Sequence, residues 1–60
     1  MSTVYNPESE TIAQIERLEL EAREVRRRIE RSRHDEDRRA LNRQLEEVQR
    51  QIDILRARLP

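Results

Sequence analysis

Apolar side chains recur along this chain in two separate stripes. The first runs Ile15, Leu18, Ala22, Val25, Ile29 at spacings of 3, 4, 3 and 4, and the second runs Leu41, Leu45, Val48, Ile52, Leu55, Leu59 at 4, 3, 4, 3 and 4. A 3–4 alternation is the a/d repeat of helices that interlock along a seam, so both stripes predict amphipathic α-helix. Neither Gly nor Pro interrupts the chain between Pro7 and Pro60, and Glu, Arg, Leu and Gln, all good helix formers, dominate it. The start is marked as well. Asn6 can cap, Pro7 suits the first helical position, and Glu8 and Glu10 meet the positive end of the helix dipole, with Ser9 as a competing cap. Residues 1–6 show no periodicity and read as a flexible tail.

Between Ile29 and Leu41 the rhythm breaks. Twelve residues separate them, and at about 100° per residue one unbroken helix would present the second stripe rotated by roughly 120° from the first. Folding back removes the conflict. Ile15 then faces Leu55, Leu18 faces Ile52, Ala22 faces Val48, Val25 faces Leu45 and Ile29 faces Leu41; each pair of numbers totals 70, which centres the turn near residue 35. The segment there, Ser32 to Asp37, is polar, and an Asp in it can cap the second helix. A straight rod pairing with a second chain would satisfy the same totals, but its supercoil would have to jump in mid-span. The expected fold is all-α: an antiparallel, coiled-coil-like two-helix hairpin in one unit over 7–60, with helices at 7–32 and 36–58 and a turn at 33–35.

Length changes this picture. At 60 residues with no Cys and one His, the chain lacks disulfides and the ligands of a structural zinc, two of the usual supports of a small fold. Association is the third. Beside the seam stand neutral amides, Gln14, Asn42, Gln44, Gln49 and Gln51, where a solvated two-stranded coil carries Glu and Arg. Off the seam, Ile12, Ala13, Leu20, Ile54 and Ala57 gather toward the open end. Two hairpins pairing into a four-helix bundle would bury both sets. Ile12, Leu20 and Ile54 are the expected association surface, with a second copy or another helical protein as partner.

Thirteen basic residues, all Arg, balance 13 acidic ones, but unevenly along the chain. Residues 1–22 carry −4, residues 23–43 carry +4 and residues 44–60 are neutral. Four i,i+4 pairs, Glu19–Arg23, Glu24–Arg28, Asp35–Arg39 and Glu46–Arg50, explain part of the pattern, at about 0.2–0.5 kcal/mol each. Arg23, Arg27, Arg28, Arg31, Arg38 and Arg39 exceed local needs and form a candidate anion or partner patch at the turn end. A phosphate-binding regulator acting on RNA, DNA or a cyclic dinucleotide is the alternative function. Zero net charge and the lack of stacking aromatics disfavour nucleic acid.

No chemistry beyond binding is indicated. His34 has no nucleophile or enclosed site around it, acids alternate with Arg, and a chain without Gly has no phosphate-cradling loop. No catalytic, cofactor or metal residues are expected. No apolar run reaches the length of a membrane span and the N-terminus has no signal-peptide core, so a cytoplasmic protein is expected.

One stretch carries a resemblance. Gln49 with Ile52-Asp53-Ile54-Leu55-Arg56-Ala57 resembles a helical segment of the RsiG family of anti-sigma factors, which bind cyclic di-GMP on an antiparallel hairpin. That family's motif sets Glu, Ser, Arg, Gln and Asp at fixed helical spacing. Aligned on Asp53, this chain keeps Gln49 but has Arg38, Asn42 and Leu45 at the Glu, Ser and Arg positions. The resemblance covers under a fifth of the chain; it implies an anti-sigma-like role, and the three departures put nucleotide binding in doubt. Taken from the residues, the leading expectation is a non-enzymatic interaction, adaptor or small regulatory module.

Overall fold

A computed structural model describes residues 6–60. They form two helices packed against each other, α1 over Pro7–Arg31 and α2 over Asp35–Ala57, with no strand among the described residues. Of the expected tail only Asn6 lies within the described residues, and it is the N-cap of α1. Its backbone is extended, and its Oδ1 accepts from the N–H groups of Glu8 at 3.0 Å and Ser9 at 3.4 Å. Ser9 is therefore inside the helix, and Asn6 satisfies two of the donors that a helix start leaves open. Asn6→Ala should destabilise the fold by about 1 kcal/mol, whereas Asn6→Gly should cost only a few tenths. A thermal melt checks this, the alanine variant shifting down by about 4–8 °C.

The reversal comes one residue earlier than the sequence suggests, with the same length of three residues. Helix α1 ends at Arg31, so Ser32 is its C-cap and not its last turn, and α2 already includes Asp35. The N-cap of α2 is His34, which makes no side-chain cap bond; no Asp serves there, and Asp35, Glu36 and Asp37 instead fill the first turn, where negative charge suits the dipole. Three residues, Ser32 to His34, turn the chain. The Ser32 N–H donates to the carbonyls of Arg28 at 2.9 Å and Ile29 at 3.2 Å, and its Oγ donates to the His34 carbonyl at 3.2 Å. Arg38 reaches back, its Nε donating to the Ser32 carbonyl at 3.1 Å. Ser32 and His34 are both extended, and no described residue has a positive φ, so the turn does without Gly.

The core is the pair of stripes. Ile15, Ala22 and Val25 of α1 and Val48 and Ile52 of α2 are buried; Thr11, Leu18, Ile29, Leu41, Leu45, Leu55 and Leu59 are half-buried. No charged or polar residue is buried among them. The molecule measures 53 × 22 × 12 Å, a slab two helices wide and one helix thick. Among the described residues no helix is long and apolar enough to cross a membrane.

Candidate functional site

A slab of two helices has two broad faces, and here they differ in chemistry. At about 100° per residue, Glu19, Arg23 and Arg26 fall on one side of the α1 stripe and Gln14, Arg17 and Arg28 on the other. On α2, Asn42, Gln49 and Arg56 share the first side, and Asp37, Gln44 and Gln51 the second. The grooves follow this division. Glu19, Arg23, Arg26, Gln49 and Arg56 rim one of about 220 Å³ whose floor is Ala22 and Ile52. On the opposite face, Gln14, Arg17, Leu18, Gln51 and Leu55 line a shallow groove near the open end. A second one there, near the turn, is lined by Arg28, Arg31, Ser32, Asp37, Ala40 and Leu41. We refer to the two faces as the arginine flank and the amide flank.

The arginine flank is closed by an ion pair between the helices: Arg56 Nη2 donates to Glu19 Oε1 at 3.1 Å. The other ion pairs are local, Arg27 and Arg28 with Glu24 at 3.8 and 3.6 Å, and Arg50 with Glu47 at 2.9 Å. Of the four expected i,i+4 pairs, Glu24–Arg28 forms. Glu19 turns across to Arg56 and leaves Arg23, and Arg50 takes Glu47, one residue closer to it in sequence than Glu46. Asp35 and Arg39 do not pair. All of these side chains are about half exposed or more, so each pair contributes at most about 1 kcal/mol.

The six arginines of the expected patch do not converge. Arg28 and Arg31 line the turn-end groove of the amide flank, where Asp37 faces them. Arg23 lies on the other flank. Arg39 sits with Asn42, Arg43 and Glu46 along α2 alone, Arg27 is engaged by Glu24, and Arg38 is folded onto the turn. The expected association residues also spread out. Ile12, Leu20 and Ile54 are 44%, 60% and 49% exposed. By helical angle, however, Ile12 lies on the arginine flank, Leu20 points directly away from the seam, and Ile54 borders the amide flank. The sequence reading missed Glu19 and Arg56 as a cross-helix pair. Both stand directly beside their stripe on the side that an antiparallel pair brings together, which was the available signal.

The remaining candidate chemistry is sparse. His34 is exposed at the turn, and no group of His, Asp and Glu among the described residues is arranged to hold a metal ion. Leu45, where the RsiG motif carries Arg, is half-buried in the seam, and Gln49 and exposed Asp53 lie on the arginine flank. The chain matches no family model, no curated protein and no solved structure, so its two unlike flanks are the ground on which a function is read.

Proposed function

We propose that this chain is a non-enzymatic interaction module: a helical hairpin that covers its amide flank with the same flank of a second copy, giving a four-helix bundle that acts as an adaptor or small regulator. The contrast between the flanks carries the reading. One has a groove rimmed by Arg23, Arg26 and Arg56 and tied by Glu19–Arg56; the other carries Gln14, Gln44 and Gln51, the exposed Ala40 and the half-buried edges of Leu18, Leu41 and Leu55, with Ile54 at its border and Arg17, Arg28, Arg31 and Asp37 around its grooves. Neutral amides around apolar edges are the composition of a boundary between packed helices.

Area supports a partner of this size. The accessible surface is 5306 Å², against about 4,200 Å² for a compact folded monomer of this mass. The excess, roughly 1,100 Å², exceeds the ~800 Å² that each partner contributes to an interface of standard size. Charge supports a second copy lying antiparallel. The residues of −4 lie toward the open end and those of +4 toward the turn, so a two-fold axis across the long dimension sets opposite signs together, whereas open end on open end would set like signs together.

Sedimentation equilibrium over a range of concentrations tests this, with a dimer as the expected mass. Gln51→Glu with Ile54→Glu places four added carboxylates in a two-fold interface and should weaken the dimer by about tenfold or more with helicity retained. Leu20→Glu, on the outer edge of α1, should leave the mass unchanged. A monomer at every concentration, or a double variant that associates like the parent, would overturn the proposal.

A further inference from the structure

The ion pair across the helices leaves an imbalance on its own flank. Glu19 stands four residues before Arg23, the favourable order for a local pair, yet it is held by Arg56 at 3.1 Å. Arg23 and Arg26 are thereby left facing one groove with no carboxylate or carbonyl partner. Three guanidinium groups and one carboxylate rim the groove, a net charge of +2. Ala22 and Ile52, each 2% exposed, form its floor, and half-buried Gln49 stands on the wall contributed by α2. Ala22 is the smallest residue of the seam, and a larger side chain there would fill the space the groove occupies.

From this arrangement we propose that the groove bordered by Arg23, Arg26 and Arg56 binds a dianionic phosphate group, either free phosphate or a monoester on a small molecule. Guanidinium forks match phosphate oxygens in pairs, and two of the three here have no competing partner. A phosphate monoester carries about −1.5 to −2 at pH 7, which the net charge of the groove matches. A phosphodiester carries one charge per group and is a poorer match. The groove of about 220 Å³ has room for several water molecules, and so for a phosphate with its ester oxygen. It lies on the flank opposite the proposed dimer contact and does not depend on that contact.

The test is a titration of the full chain followed by NMR of the arginine Nε–H and glutamine side-chain amides, with inorganic phosphate and O-phosphoserine as parallel probes. Saturable shifts at Arg23, Arg26 and Gln49, absent at Arg17 and Arg58, are expected. Equal affinities would identify the free ion as sufficient; tighter binding of phosphoserine would identify a phosphorylated small molecule. Arg23→Gln with Arg26→Gln, at exposed positions that leave the seam intact, should lower the affinity by about tenfold or more. Glu19→Gln should raise it several-fold by releasing Arg56, a gain that loss of a structural contact would not produce. Going from about pH 7.5 to about pH 5.5 protonates the phosphoserine monoester, so its binding should weaken, while sulfate, dianionic at both, keeps its affinity. Absence of saturation with either probe at low salt, or unchanged shifts in the double variant, would overturn the proposal.

Discussion

Ile52→Asp should lose most of its helical ellipticity under conditions where the parent chain is folded. Ile52 is 2% exposed and packs with Ile15, Ala22 and Val48, a cluster that holds no polar group to receive a carboxylate. The variant must bury an unpaired charge, take up a proton, or open the seam around it, and each route costs several kcal/mol. Among the described residues five are fully buried, with half-buried leucines packed against them, so a loss above about 4 kcal/mol exceeds what so small a fold holds in reserve. Two comparisons isolate the cause. Ile52→Val should cost about 0.5–1.5 kcal/mol and stay folded. Ile54→Asp, at a position 49% exposed and two residues further along the same helix, should keep its ellipticity. Far-UV circular dichroism at one concentration decides between them; an Ile52→Asp chain as helical as the parent would mean that this seam does not hold the molecule together.

Replacing Ser32, Arg33 and His34 together with Ala should convert the hairpin to extended rods that pair between chains. The turn is held by side-chain and cap bonds of these residues, Ser32 Oγ to the His34 carbonyl and Arg38 to the Ser32 carbonyl, with no residue that requires a positive φ. Alanine removes the Ser32 hydroxyl bond and substitutes the strongest helix former at all three positions. A helix continuous from Pro7 to Ala57 would be about 77 Å long, against 53 Å for the hairpin. Small-angle scattering reads the difference directly, and it separates exchanged rods from side-by-side hairpins of the same mass. A variant that keeps the 53 Å length would show that the seam alone, without local help from the turn, fixes the reversal.

The helices and the seam were legible because they rest on periodicity, which a sequence displays completely. Every residue of the two stripes is buried or half-buried, from Ile15 to Leu59, and the neighbouring charged residues are exposed. The turn was legible only in outline. Ser32 and Asp35 changed sides of the boundary by one residue each, because cap geometry depends on which backbone donors and acceptors remain open, and Asp, Ser and His all tolerate several cap positions. The flanks were the least legible. Gln14, Gln49 and Gln51 look alike in sequence, yet Gln49 lines the groove of the arginine flank and the other two line a groove on the opposite face. Local rules also paired Glu19 with Arg23, since they see four residues of one helix and not the second helix, from which Arg56 arrives.

Because the chain doubles back after Arg31, Pro7 and Ala57 emerge beside one another at the same end of the slab. Packed helices stand about 8–10 Å apart, a gap comparable to the mouth of an ordinary surface loop. The hairpin could therefore be spliced into a loop of an unrelated carrier protein without prying the loop open. It would project outward as a stalk with the Ser32–His34 bend at its tip and the acidic stretch of α1 nearest the carrier.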